Sequence, residues 1–295
     1  MKTGAAALDT PRHRLLDFLA LTKPRLNSLV VVTAGVGYLA ARSGPLDPVL
    51  LTHTAIGSAL VAGGAAALNQ TAEIDLDERM TRTRTRPLPA RRLQAGEAVW
   101  FAVAVALVGL TQLATLVNPT AAVVAMATLF SYVVIYTPLK RRSHWALLVG
   151  AIPGALPVVI GWVAVAPLTA QAWALFWVVF VWQLPHFLAL TWLYREDFER
   201  SGLPLLAVVD PSGVHLTRHL MVYTILLIPA SLGPAWTGLA GGTYAVGVVV
   251  MDMLLLALAL RFAEGPTVER ARDLFRATLG YLPLAWGLLL LDSLW

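Results

Sequence analysis

The sequence predicts an all-α integral membrane protein with nine transmembrane helices in one bundle, and three observations carry that prediction. Of its 295 residues, 58% are hydrophobic and only 13% are charged, with a mean hydropathy of +0.70; a soluble domain carries about 25% charged residues. The apolar residues gather into nine runs of spanning length. Of the 22 lysines and arginines, 21 fall in alternate connections, the asymmetry that orients helices in a bilayer.

The runs lie at about 27–42, 49–71, 97–117, 119–138, 145–165, 170–193, 217–237, 240–261 and 274–293, each near the roughly 20 residues a bilayer requires. The first follows Lys23, Pro24 and Arg25. The second carries Gly63 and Gly64 and runs into a cluster of acids. The third and fourth are joined by the short, uncharged Val117-Asn118-Pro119, and the fourth ends on Tyr136, Lys140, Arg141 and Arg142. Pro153, Gly154 and Pro157 interrupt the fifth, which a membrane bundle tolerates where neighbours re-satisfy the backbone. The sixth holds Pro185 and His186 and ends in a second group of acids. The outer halves of the runs are nearly bare of charge, with Asp252 in the eighth the main exception.

Basic residues in the N-terminal segment and in every second connection place the N-terminus inside and the C-terminus outside, with Arg42 the exception. The net charge of +5 is thus a topology signal and no nucleic-acid partner is expected. Residues 1–22 read as an N-terminal cytoplasmic segment and 23–295 as the transmembrane domain. No long apolar core precedes the N-terminal charges, so no cleaved signal peptide is expected. Cysteine is absent, which excludes disulfides, thiolate metal sites and covalent haem attachment. No phosphate-binding glycine loop or nucleophile elbow occurs in a strand-turn-helix context, so nucleotide hydrolysis and serine-triad chemistry are unsupported.

Chemistry concentrates in Asn69 to Pro87, NQTAEIDLDERMTRTRTRP. Asn69, Glu73 and Asp77 are four apart and share one helical stripe, climbing about 12 Å, with Asp75 on roughly the opposite side. Two readings stand: a solvated helix end, or a site for a metal and a polyanion. Arg82, Arg84 and Arg86 read either as a membrane anchor or as an anion clamp. Carboxylates alone repel a phosphate, but Mg²⁺ takes one or two carboxylates and completes its shell with phosphate and water, while arginine binds the remaining charge.

A second acidic stretch, Glu196, Asp197 and Glu199, follows the sixth helix just as the first follows the second, each leading to an arginine and a Pro-Leu element. Four spans separate them, which suggests two halves related by a parallel repeat. Asp197 is the expected metal contact there, against the reading of a plain surface loop. Of six histidines, His186 stands out inside an apolar run, either as a haem-pocket residue or as a helix-pairing donor. An ion-coupled transporter is a rival from another class, but its ionisable groups would line a path across the bilayer, whereas these acids gather at one face.

The pattern Asn69, Glu73, Asp75, Asp77, Met80, Arg82, Thr83, Arg86, Pro87 resembles the first aspartate-rich motif of the UbiA membrane prenyltransferase superfamily. Leu21 to Arg25, Tyr136 to Arg142, Gly150 to Trp162, Trp182 to Phe187 and Arg195 to Leu206 narrow the resemblance to the protoheme IX farnesyltransferase (haem O synthase) family, over roughly residues 15 to 290. Two departures from the wider superfamily are visible. Glu73 stands where Asp is usual, and Ser201 stands where quinone-type members repeat an Asp four residues after Asp197; the second favours the haem branch.

The resemblance implies a bundle around a central cavity in the cell (inner) membrane, with the active site facing the cytoplasm. It implies farnesyl diphosphate and haem B as substrates, haem O and diphosphate as products, and a downstream haem-modifying enzyme as a partner. It assigns Mg²⁺ to Asn69, Glu73, Asp77 and Asp197, diphosphate binding to Arg25, Arg82, Arg86, Tyr136 and Lys140, and haem binding to His186. Transfer to an aromatic quinone precursor is the alternative within the superfamily.

Overall fold

The computed structural model describes residues 11–292. The first ten residues of the expected N-terminal segment, Lys2 among them, lie outside the described residues. Among those described there are only helices and their connections. Eight helices are long and apolar enough to cross a membrane: α3 (Pro48–Ala72), α5 (Ala95–Leu116), the helix Pro119–Lys140, α8 (Ala146–Val163), α9 (Ala170–Leu193), α12 (Val214–Trp236), α13 (Gly242–Ala263) and α14 (Val268–Asp292). Each covers one of the expected runs, with ends shifted by up to about six residues, within the reach of boundary reading from sequence. The first expected run forms α2 (Pro24–Ala41), which is not among the eight. Its first turns carry Pro24, Arg25, Asn27 and Ser28, and these dilute its apolarity.

The helix starts are written in local chemistry. Pro24, Pro48 and Pro119 open their helices, where a missing N–H costs nothing. Asp47 caps α3 by accepting from the Val49 and Leu50 N–H groups, both at 3.0 Å. Asn118 caps the Pro119 helix through Ala121 N–H at 2.8 Å and donates to the Val163 carbonyl at 2.8 Å, tying that helix to the end of α8. Gln94 and Glu97 form a capping box on α5.

Helices α8 and α9 form the centre: 61% and 67% of their most apolar stretches are buried, against 11% for Pro119–Lys140. Around them α2, α3 and α5 pack on one side and α12, α13 and α14 on the other, and α14 touches α2 to close the ring. The α2–α8 crossing depends on two glycines. A Cβ on Gly161 would lie 1.7 Å from the Ala34 carbonyl oxygen, and one on Gly37 would lie 1.9 Å from that of Val158. Small residues let membrane helices approach this closely.

Asp252, in the middle of the eighth expected run, is fully buried on α13. It accepts from Tyr281 of α14 at 2.8 Å and from Ser231 of α12 at 2.6 Å. Both carboxylate oxygens are thus used in joining three helices, the structural use of a polar group at membrane depth.

The echo between the two acidic stretches appears in the backbone. Span α3 stops at Glu73 (φ −114°, ψ 19°) and α9 at Tyr194 (φ −113°, ψ 25°). Each is followed at once by a short helix, α4 (Ile74–Arg79) and α10 (Arg195–Ser201), and these two pack together. Leu76, Met80, Phe198 and Leu203 form the small apolar cluster between them.

Candidate active site

The stripe Asn69–Glu73–Asp77 is not one unbroken helix, because α3 ends before Glu73 and α4 begins after it. The break is slight: Asp77 N–H still bonds the Glu73 carbonyl at 2.9 Å. The three side chains are buried, at 4%, 5% and 2% exposure, whereas Asp75 is half exposed and pairs with Arg141 on the outside. Carboxylates buried to this degree need partners. Lys140 Nζ sits 3.1 Å from both oxygens of Glu73. Arg86 Nη1 lies 3.1 and 2.8 Å from the two oxygens of Asp77.

Lys140 is delivered by an irregular stretch. Between α6 (Pro119–Phe130) and α7 (Thr137–Lys140) the chain makes a π-helical turn, Ser131–Tyr136, a device frequent at functional sites. The Thr137 N–H and its hydroxyl both converge on the Tyr132 carbonyl, the hydroxyl at 2.8 Å. Thr137 Oγ1 then accepts from Asn69 Nδ2 at 3.2 Å, and Tyr132 donates to Asn69 Oδ1 at 3.4 Å. Tyr136 stacks on Tyr132 with ring centres 5.3 Å apart. Its ring lies against Gly150 of α8, where a Cβ would come within 2.5 Å.

A third basic residue at this cluster, besides Lys140 and Arg86, lies outside the sequence expectation. Arg25 is exposed, and it is Lys23, in a left-handed conformation (φ 47°) between α1 (Pro11–Leu21) and α2, that faces the site. Gln70 fixes the turn by donating to the Leu21 carbonyl at 2.6 Å. Burial, then repulsion from Arg86 and Lys140, pushes the Lys23 pKa down to about 8 against the attraction of Glu73 and Asp77. The sequence signal was present in Leu21 to Arg25, but which cation faces inward depends on the turn.

Asp197 also sits differently from expectation. Counted from the two helix breaks, Asp77 is the fourth residue and Asp197 the third, which turns the second carboxylate by about 100°. It accepts from the Thr81 and Arg82 N–H groups at 3.0 and 3.3 Å and pairs with Arg200. Burial raises its pKa, but Arg200 and the two amides outweigh burial and hold it below the ordinary carboxylate value. Among the described residues no three His, Asp or Glu side chains gather in a metal-sized group, and the bonds of Asp197 go to Thr81, Arg82 and Arg200. Above the same loop, the Arg82 guanidinium lies 5.2 Å from the centre of the Tyr194 ring.

His186 lies partly buried in α9. It stacks on Trp182 (5.2 Å, 20°) and on Phe275 of α14 (4.8 Å, 28°), with its Nδ1 2.9 Å from Thr278 Oγ1. Neither α14 residue was singled out from sequence.

The model of the UbiA prenyltransferase family matches residues 30–282, most of the chain. The chain belongs to the UbiA prenyltransferase family. With its eight apolar helices it is a multi-pass membrane prenyltransferase. Protoheme IX farnesyltransferase of Solibacter usitatus is 44% identical over 286 residues, covering 94% of this chain and 98% of its own. A solved structure of digeranylgeranylglyceryl phosphate synthase superposes with a TM-score of 0.79 at 15% identity, covering 95% of this chain and 98% of its own. A UbiA homologue from Archaeoglobus fulgidus bound to GPP and Mg²⁺ superposes with a TM-score of 0.63 at 13% identity, over 92% and 99% of the two chains. These two structural likenesses establish the fold.

Proposed function

We propose that the protein transfers a farnesyl group from farnesyl diphosphate to a vinyl group of haem B, with addition of water, giving haem O and diphosphate. The observation that carries the reading is the pairing of two buried carboxylates, Glu73 and Asp77, with Lys140 and Arg86 beside Asn69 and Lys23. The acceptor follows from the 44% identity, over nearly the full length of both chains, to a protoheme IX farnesyltransferase.

The donor set at this cluster is two carboxylates and one amide oxygen, all hard ligands, and it fits Mg²⁺ in number and kind. Asn69, Glu73 and Asp77 are the residues that would hold it, and it would supply charge neutralisation at the departing diphosphate. Lys140 and Arg86 then turn from the carboxylates to the diphosphate, joined by Lys23, Arg82 and the Tyr136 hydroxyl, with Arg25 at the margin. Asp197, expected as a fourth ligand, serves by ordering the Thr81–Arg82 backbone.

With its leaving group so held, the allylic C–O bond breaks heterolytically and the electron pair goes to diphosphate. The apolar walls keep bulk water from the farnesyl cation. The vinyl π electrons of haem form the new C–C bond, and one water captures the resulting cation and loses a proton. His186 and its aromatic neighbours form the haem side of the site.

The same reading makes α2 a ninth span and places the substrates in a central cavity open to the cytoplasmic face of the inner membrane. The N-terminus lies inside and the C-terminus outside. Residues 1–22 form a cytoplasmic segment and 23–295 the catalytic domain. The product would pass to a haem-modifying enzyme.

The test is product analysis by mass after incubating purified protein with haem B, farnesyl diphosphate and Mg²⁺. Wild type should yield haem O, and Asp77→Asn should abolish turnover while remaining folded in the membrane. Full activity in Asp77→Asn would refute the assignment of the leaving-group site, and prenylation of a quinone precursor without haem O would refute the acceptor.

A further inference from the structure

The bond between Thr278 and His186 has a direction, and the direction fixes the histidine's chemistry. A threonine hydroxyl has one proton to give, and the Phe275 carbonyl, which can only accept, is the nearer of the two neighbours of Thr278 Oγ1, at 2.7 Å against 2.9 Å for the imidazole, so the proton is assigned there. Toward the imidazole the hydroxyl therefore accepts, so His186 Nδ1, 2.9 Å away, carries the proton. In a neutral ring the other nitrogen, Nε2, then keeps its lone pair. Thr278 holds the surroundings as well: its carbonyl accepts from Trp182 Nε1 at 2.9 Å, and Trp182 and Phe275 both stack on the imidazole.

The rotation of α14 that makes this possible is secured one turn further along. Tyr281 lies three residues on, along the same helix face, and donates to the buried Asp252 at 2.8 Å. The Thr278 hydroxyl is thus presented to α9 by a helix locked against α13.

We propose that Thr278 is a positioning residue for the haem substrate, fixing His186 in the Nδ1–H tautomer so that Nε2 serves as a lone-pair donor to the haem iron. The proposal rests on the reading above that His186 lines the haem side of the site. Partners that orient a metal-binding histidine through its second nitrogen typically change affinity by about 10–100-fold when removed.

Two readouts test it. The first is ¹⁵N NMR of histidine-labelled protein in lipid nanodiscs, with the His186 signals assigned by their loss in His186→Gln. Wild type should show Nδ1 protonated and Nε2 bare. Thr278→Val keeps the shape and the carbonyl bond to Trp182 but removes the acceptor, so it should shift the tautomer toward Nε2–H; Thr278→Ser should restore the wild-type state. The second is titration with haem B followed by its absorption band. Thr278→Val should weaken haem binding by about 10–100-fold and raise the KM for haem, leaving the KM for farnesyl diphosphate unchanged. A wild-type ring protonated at Nε2, or a Thr278→Val protein with unaltered tautomer and haem affinity, overturns the inference alone. Wild-type protein that binds no haem overturns the reading of function, and this inference with it.

Discussion

Replacing Asp197 by alanine separates two roles that a carboxylate beside this site could have. In the structure Asp197 accepts from the Thr81 and Arg82 amides at 3.0 and 3.3 Å, at the start of the loop that carries Arg82 and Arg86. Hydrogen bonds to a charged acceptor contribute about 1.5–3 kcal/mol each. Thr81 and Arg82 are exposed, so water replaces part of that, and about 1 kcal/mol per bond is the fair figure. The Arg200 pair is half exposed on the arginine side and adds little. The loss is therefore roughly 2 kcal/mol, or about 30-fold in the population of the ordered loop. Hydrogen exchange at Thr81 and Arg82 should accelerate by that factor, and the KM for farnesyl diphosphate should rise comparably while kcat changes much less. Asp197→Asn, keeping one acceptor oxygen, should fall between. A kcat reduced by several orders of magnitude, with exchange and KM unchanged, would refute the loop-ordering role and make Asp197 a direct metal ligand.

Lys23 supplies a prediction in which stability and binding move in opposite directions. Its pKa in the folded state, about 8, lies below the ordinary lysine value of 10.5, so burying the charge costs stability at lower pH and that cost is relieved as pH rises through 8. Unfolding temperature should therefore gain between pH 8 and 10.5 as the KM for farnesyl diphosphate climbs, and Lys23→Met should flatten both trends. Asp210 behaves in the usual acidic sense. Burial raises its pKa, but Ser212 and the Leu216 and His215 amides outweigh burial and leave it below 3.8. Its contribution is present above that value and lost as pH falls through the folded pKa; Asp210→Asn should make the acid side of the thermal stability curve shallower. Gly161→Val should lower the unfolding temperature, because its Cβ meets backbone at 1.7 Å and overpacking costs about 1–3 kcal/mol. Gly35→Ala, with nothing within 4 Å, is the control and should hold or slightly raise it, since Ala is favoured over Gly inside a helix by about 0.5–1 kcal/mol.

Eight spans are legible because hydropathy is a property of composition over about 20 residues, and the first run forms the less apolar helix α2. The repeat between the two acidic stretches was legible as order along the chain, and the matched backbone breaks at Glu73 and Tyr194 give it a geometry. What stayed hidden depends on angles. The sequence reading names Arg25 at this turn, and a helix pattern cannot show that Lys23 adopts the left-handed region and faces Glu73 and Asp77. Grouping Asp197 with Asp77 rests on both following an apolar helix, and order along the chain does not show the one-residue offset between them after the two breaks. Thr278 and Phe275 carry no sequence signal at all: an ordinary threonine and phenylalanine in the last span gain meaning only from the α9 residues packed against them.

The π turn at Ser131–Tyr136 has one more implication. Such a turn takes up a residue beyond what regular winding would use, so the two ends of Pro119–Lys140 are out of phase with each other. Its outer half can answer to lipid and to the neighbouring Asn118 cap, while its inner end answers to Glu73, and neither must compromise for the other. Winding the same residues as a regular α-helix would swing Lys140 by about 100°, emptying the Glu73 partnership without touching any residue that makes it, whereas deleting one residue within the turn would restore even winding and leave Lys140 in place. The helix therefore stores the alignment of the site as a count of residues, a form of information no substitution at the site itself can reveal.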